Sequence, residues 1–339
     1  MKMKHMLPSF LATACCLLVL VSCRQEPDSG AGPVAPVDVK VYGKLAAVLG
    51  HESKKLELVD PGSGKVVKSI SLSGKPNGMA IDGNIAYVAE GGPGGMVEVV
   101  ALDTGTVKGA FPAGHTPMSP VVLNGKLYVA ARFDSKIVEM DISSGKVLNS
   151  WPASREPVAL AVSPDGKKIW AANHLPAGAA DGDFTAAALT LVENGKAVHF
   201  PLANGTQGVR GMAVSPDGRY LAVAHVLSRY QVPTTQLDRG WMNTNAVTII
   251  DTAHPDRPHP VLLDDPDAGA ANPWGVLFSP DGSLLLVTHA GTHELSVIDF
   301  LALLARMKKE DRSGNPVSER LGFLHDIRTR VRLPLNGPR

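Results

Sequence analysis

The sequence predicts an all-β fold, a β-propeller of four-stranded blades, on three observations. Ser-Pro-Asp-Gly recurs at 163–166, 215–218 and 279–282, each copy lying between two short apolar runs. Weaker versions of the same strand–turn–strand signal occur upstream at Tyr42-Gly43-Lys44, Asp82-Gly83 and Asn124-Gly125. Pro76, Pro117 and Pro157 open successive units about 40 residues apart, the spacing of a four-stranded blade. A sandwich does not repeat its turn chemistry this regularly, and a β-helix has shorter coils.

Each element follows from local chemistry. Proline presets φ in the turn, and glycine accepts the positive φ that closes it. The runs Leu160-Ala161-Val162, Met212-Ala213-Val214 and Val276-Leu277-Phe278 therefore read as first strands, and the runs after each glycine as second strands. A second hairpin completes each unit. Residues 56–60 pair with 66–70, 97–102 with 107–111, 136–141 with 147–151, and 187–192 with 197–202. Six such units fit between about Val37 and Leu335.

Two insertions interrupt the pattern. Residues 226–245 form a loop far longer than a blade needs, carrying Arg229, Tyr230, Gln231, Asp238, Arg239, Trp241, Asn243 and Asn245. Amphipathic residues on so long a loop suit a binding surface; a lid over the central channel is the bland alternative. A smaller insertion spans 175–183. Residues 300–328 form the other long insertion. Asp299 caps a helix over 300–309, with Leu301, Leu304 and Ala305 on its apolar face. Its excess of arginine and lysine reads as a solvated basic face, the alternative being contact with a membrane or partner. The chain then ends at 335–339 as though leading into a further inner strand; either Val37–Tyr42 closes the ring as the partner edge, or the chain is truncated, the favoured reading, which predicts an unclosed ring with an exposed blade edge.

The amino terminus is separate. Lys2 and Lys4 precede an apolar stretch from 7 to 21, too short to span a bilayer comfortably. It ends in Leu20-Val21-Ser22-Cys23, which resembles a bacterial lipobox. That resemblance implies cleavage after residue 22, lipidation of Cys23 and, with Arg24 following, an outer-membrane lipoprotein. Residues 23–36 read as a Gly/Pro-rich tether and 37–339 as the propeller. All three cysteines (Cys15, Cys16, Cys23) fall in or at the end of the leader. The remainder carries no Cys-x-x-Cys-His, so this chain holds no covalent haem. A net charge of +1 gives no electrostatic case for nucleic acid.

The turn glycines also serve as a ruler. The seventh residue after each one ends the second strand, on the face opposite the Pro-Asp-Gly turns: Glu90, Arg132, Asn173, His225 and His289. His51, His174 and His293 adjoin them, and the links between blades add His115, Arg155, Glu156, Arg210 and Trp274. Three readings of this set stand side by side. Imidazoles of His51, His174, His225, His289 and His293 suit a transition metal such as copper, zinc or iron. His, Glu and Arg also suit a ligand or catalytic pocket. Or the histidines simply hydrogen-bond neighbouring loops.

The segments SPDGKKIWAAN, NGKLYVAARFDSKIVEMDISSGKV and SPDGSLLLVTHAGTHELSVID resemble the YVTN-type propeller repeat over most of residues 40–300. The resemblance implies a propeller, usually of seven blades, and leaves the chemistry open. Asparagine is usual at the ruler position, as at Asn173; His225 and His289 depart from it. RYQVPTTQLDRGWMNTNAVTIID is similar to a segment of bacterial propellers that continue into a cytochrome c peroxidase-like domain, which implies a c-type cytochrome as a candidate partner. The reading reached is an envelope-anchored binding or scaffold protein in a periplasmic redox or metal-handling system. A lactonase-like or metal-dependent enzyme and a partner of a cytochrome c peroxidase are the alternatives.

Overall fold

In the computed structural model the described residues are 35–236, 241–313 and 320–333. They form six four-stranded antiparallel sheets in chain order, the blades of an all-β propeller. Blade 1 comprises β1 (Pro36–Tyr42), β2 (Leu45–Gly50), β3 (Lys55–Val59) and β4 (Val66–Ser71). Blade 2 comprises β5 (Pro76–Asp82), β6 (Ile85–Glu90), β7 (Gly95–Ala101) and β8 (Thr106–Gly114). Blade 3 comprises β9 (Pro117–Leu123), β10 (Lys126–Ala131), β11 (Lys136–Asp141) and β12 (Val147–Pro152). Blade 4 comprises β13 (Pro157–Val162), β14 (Lys168–Asn173), β15 (Ala188–Glu193) and β16 (Lys196–Pro201). Blade 5 comprises β17 (Thr206–Val214), β18 (Tyr220–Ser228), β19 (Asn243–Asp251) and β20 (His259–Leu262). Blade 6 comprises β21 (Pro273–Phe278), β22 (Leu284–His289), β23 (Glu294–Asp299) and β24 (Arg328–Arg332), with helix α1 (Phe300–Ser313) inserted before its last strand.

The chain divides into two compact units. One holds blades 1 and 2 and most of blade 3; the other holds blades 4 to 6 with α1. In the first, Leu49, Leu56, Met79, Val88 and Leu102 form one core cluster and Leu127, Val129, Ala131 and Met140 another. In the second, Trp170, Leu189, Leu221 and Ile250 pack together, and Ile249, Leu285, Phe300, Leu303 and Met307 form a further cluster. Middle strands are buried along nearly their whole length, whereas outer strands such as β12 are exposed. That gradient is expected when sheets stack face to face and the outermost strand meets solvent.

Every first strand carries a register shift near its start. In blade 4, Pro157 faces Asn173 and Ala159 faces Ala172, which leaves Val158 as the extra residue of a bulge. The prolines predicted to open blades begin β5, β9 and β13, and Pro273 likewise begins β21, a position where the missing N–H costs no ladder bond.

Three expectations change. The loop at 226–245 is shorter, because β18 and β19 pair out to Ser228 opposite Asn243, with Leu227 and Thr244 buried in the extension. The helix runs on to Ser313 rather than stopping at 309, and its buried stripe is Phe300, Leu303 and Met307, with the expected Leu304 partly buried against the same cluster and Ala305 exposed. Leu301 instead faces solvent at 62% exposure, since it lies about 100° round the helix from Phe300. Asp299 does cap the helix, accepting from the Ala302 N–H at 2.9 Å. The leader, the lipobox and most of the tether, Asp238, Arg239 and the expected lead-in at 335–339 lie outside the described residues.

Candidate functional site

Four of the ruler residues hold equivalent positions, each within its own blade. Glu90, Asn173 and His289 end β6, β14 and β22, and His225 occupies the matching register in β18. In blades 4 to 6 each of these side chains turns toward a polar residue on the third strand of its own blade, two steps along the ladder. The Asn173 amide donates to Thr190 Oγ1 at 3.1 Å and to the Ala188 carbonyl at 2.6 Å. His225 Nε2 lies 2.6 Å from Thr248 Oγ1, and His289 Nε2 lies 2.8 Å from Ser296 Oγ. Diagonal neighbours on one face of a sheet are close enough for such bonds.

The count slips in blade 3. The turn there is Asn124-Gly125, with Leu123 opposite Lys126, so glycine holds the second turn position. In blades 1 and 2 glycine comes first, with Tyr42 opposite Leu45 and Asp82 opposite Ile85. The blade 3 equivalent of Glu90 is therefore Ala131, and Arg132 falls one residue beyond. A one-residue slip in a strand moves a side chain to the other face. Arg132 accordingly lies over the Phe133 ring at 4.8 Å, and the His115 ring meets the same phenyl edge-on at 5.0 Å.

That next position makes a second set of equivalents. His51 Nδ1 donates to the Pro76 carbonyl, and His174 Nδ1 to the Val209 carbonyl, each at 2.8 Å. Both carbonyls belong to the first strand of the following blade, so each imidazole fastens one blade to the next. Arg210 and Trp274 come from the first strands of blades 5 and 6, where the guanidinium stacks 4.6 Å from the indole. His293 stands in the β22–β23 turn with φ of 55°. Arg155 donates to the Pro176 carbonyl at 3.3 Å and its guanidinium lies 3.9 Å from Glu156.

Burial sets the charge states. Desolvation lowers His225 and His289 to about 4, so both rings are neutral at pH 7. His289 Nδ1 donates to the Ala270 carbonyl at 2.9 Å, and His225 Nδ1 to that of Val226 at 3.2 Å. A carbonyl can only accept, so Nε2 of each ring accepts the Ser296 or Thr248 hydroxyl proton. Both nitrogens of each ring are thus engaged inside the blade. Among the described residues, no three His, Cys, Asp or Glu side chains converge as a metal-ion group. Glu90 moves the other way: desolvation, with Glu98 beside it, raises it to about 7.

The long loop builds a different surface. The Tyr230 hydroxyl contacts Asn204 Oδ1 at 3.0 Å and the Gly182 and Asp183 carbonyls at 3.3 Å. Gln231 donates to the Asp183 carbonyl, and Asn204 donates to Gln231 Oε1 at 3.2 Å. The two insertions, 175–183 and the loop after β18, are therefore stitched together through Asn204. Arg229, Tyr230 and Val232 line a shallow depression with Asn204. On the return limb, Trp241, Met242 and Asn243 line a second one over Asn245 and Asp264. Asp264 is buried and anchors that limb, accepting from the Asn245 amide at 2.9 Å and the Ala270 N–H at 2.7 Å. Phe184, Tyr230, Val232 and Met242 remain exposed.

Sequence reasoning missed Phe184, Asn204, Met242 and Asp264. Only Asn204-Gly205 carried a local signal, as a turn dipeptide.

No protein-family model matches the chain. It is 26% identical over 182 residues to the hydrazine synthase subunit beta of Kuenenia stuttgartiensis. That match covers 53% of this chain and 44% of the relative, so less than half of the relative's length is spanned. In structure the chain resembles the solved Kuenenia stuttgartiensis hydrazine synthase, with a TM-score of 0.78 at 22% identity. The superposition covers 92% of this chain and 90% of that one, and establishes the propeller fold.

Proposed function

We propose that this chain is a binding or scaffold subunit, a propeller that holds a partner protein in a redox or metal-handling assembly of the bacterial envelope. The observation that carries this reading is the contrast between two sets of residues. The Asn173 amide nitrogen and the His225 and His289 rings of blades 4 to 6 are spent on internal hydrogen bonds. The braced loops of the second unit instead leave Phe184, Tyr230, Val232 and Met242 exposed. Aromatic residues and methionine held on a pre-ordered surface are what protein interfaces enrich.

Two further points support it. The 26% match is to a protein named as a subunit, and a subunit works among other chains. The similarity of RYQVPTTQLDRGWMNTN to propellers fused to cytochrome peroxidase-like domains favours a haem-bearing partner. The YVTN-type repeat relationship belongs to the same proposal, resting on the three turn segments, as does the lipid anchor at Cys23.

The test is co-purification of the tagged, full-length protein from its native membranes after gentle cross-linking. A stoichiometric partner is expected with the unsubstituted chain, and at least tenfold less with Phe184→Ser and Met242→Ser combined. Both side chains are exposed, so the fold tolerates the change. Equal recovery with the double variant, or no stoichiometric partner at all, defeats the reading.

A further inference from the structure

Blade 2 buries two carboxyl groups against each other. Glu90 is 5% exposed and Glu98 2%. Val88 faces Glu98 across the β6–β7 ladder, which places Glu90 and Glu98 diagonally on one face. Each is held on one side by the link between blades 1 and 2. Ser73 donates its N–H, at 3.3 Å, and its hydroxyl to Glu98 Oε1, and the Gly74 N–H bonds Glu90. The link runs tightly against this carboxyl: a Cβ on Gly74 would stand 2.9 Å from Glu90 Oε2 and 3.2 Å from its Cβ. The other oxygens, Glu90 Oε1 and Glu98 Oε2, are buried without a donor.

Two ionised carboxylates cannot satisfy those oxygens, because each can only accept. One proton between them can, turning one group into a donor for the other. We propose that Glu90 and Glu98 share a single proton, and that this proton fastens the link at 72–75 to blade 2 as a clasp that alkaline solution opens. Removing it leaves two buried negative charges side by side, and the strain falls on the Ser73 and Gly74 contacts.

The surroundings do not supply a substitute charge. Lys54 acts on Glu90 only through space and stays on the surface turn between β2 and β3. Lys75 is committed to Glu52 at 2.7 Å, and His51 to the Pro76 carbonyl. β5 sets Pro76 opposite Glu90, and β8 sets Ala110 opposite Glu98; neither titrates.

The sign of the effect follows. Burial and Glu98 raise Glu90 from 4.5 to about 7. The folded chain thus holds a proton that the unfolded chain has released. Its contribution is complete below pH 4.5 and is lost as pH rises through about 7. His225 and His289 act in the opposite direction below pH 6.5. The informative quantity is therefore the ratio between variant and wild type, in which the histidine contribution cancels.

The experiment is urea unfolding of the mature chain and of Glu90→Gln at pH 5 to 8. Glutamine carries a permanent donor for Glu98, so the folding constant of the variant relative to wild type should rise about a hundredfold across this range. A ratio unchanged within twofold overturns the proposal. Infrared spectroscopy of wild type with ¹³C-labelled glutamate gives an independent readout should the variant fail to fold. A protonated buried carboxyl at pH 6 that disappears above pH 8 is expected, together with faster amide exchange at 72–75 beyond the intrinsic increase. Fully ionised glutamates at pH 6 overturn it.

Discussion

At the scale of single residues, the second-strand position shows how one site can take different side chains for one purpose. Asn173, His225 and His289 each reach a hydroxyl on the neighbouring strand. Substituting His289→Leu leaves the Ser296 hydroxyl and the Ala270 carbonyl without their partner. It should cost about 1 to 3 kcal/mol in urea unfolding at pH 7. The same variant tests the charge state. His289 sits near 4 in the fold against 6.5 as a free side chain, so its neutral form stabilises the fold above pH 6.5, and that contribution fades as pH falls toward 4. Wild type should lose stability over that interval more steeply than His289→Leu; parallel curves would refute the assignment. The equivalent positions were legible in the sequence because each turn glycine fixes a count. Arg132 was misplaced because the count assumed one turn type, and Asn124-Gly125 puts its glycine one position later. The hydroxyl partners were not legible at all, since a threonine or serine in a strand reads simply as a strand residue.

At the scale of elements, the Ser-Pro-Asp-Gly turn is a closed set of bonds. Ser279 Oγ donates to Asp281 Oδ1 at 2.5 Å and accepts the Leu284 N–H at 2.9 Å, while the Gly282 N–H returns to the Ser279 carbonyl at 2.8 Å. The copies at 163 and 215 repeat the pattern. These bonds hold Asp165, Asp217 and Asp281 below the usual carboxylate range, the serine hydroxyl being the chief cause. The motif also reaches between blades. Gly218 has φ of +74°, and a Cβ there would stand 3.0 Å from Pro164 Cδ in the preceding turn. Gly218→Ala should therefore cost about 1 to 2 kcal/mol, combining left-handed strain with a lost close approach. Gly125→Ala is a matched control: φ is +73° but nothing lies within 4 Å of the added carbon. Thermal melts that shift equally in the two variants would show that the Pro164 contact contributes nothing. The hairpins were legible because this chemistry is local. The extension of β18 and β19 was not, since pairing beyond residue 225 depends on burying Leu227 and Thr244 in the folded blade. The helix stripe was legible only at Leu304, which packs against the core cluster; Leu301 and Phe300 are adjacent apolar residues, and only the position of the blade selects between them.

At the scale of the whole molecule, a period of about 40 residues predicted the blades, and six four-stranded sheets follow in chain order. What the period leaves open is where the propeller works, and the leader is the part of the chain that speaks to it. Residues 7–21 are apolar but short of a bilayer span, and no helix among the described residues is long and apolar enough to cross a membrane. The proposed attachment is covalent, through Cys23 of the lipobox-like Leu-Val-Ser-Cys. One acyl chain holds a protein to a membrane only marginally, whereas two or more make the attachment stable. With a diacylated Cys23 the protein should sediment with membranes, resist extraction by high salt, and enter detergent. Cys23→Ala removes the only attachment point in the Leu-Val-Ser-Cys sequence. It should shift the protein to the soluble fraction or leave it uncleaved, with the lipid mass lost from the amino-terminal peptide. Cys15→Ala and Cys16→Ala should change nothing, because they lie on the leader side of the proposed cleavage. A Cys23→Ala protein that stays membrane-bound after cleavage would overturn the anchor, and the loop surface of blades 4 and 5 would then have to account for attachment through a bound partner.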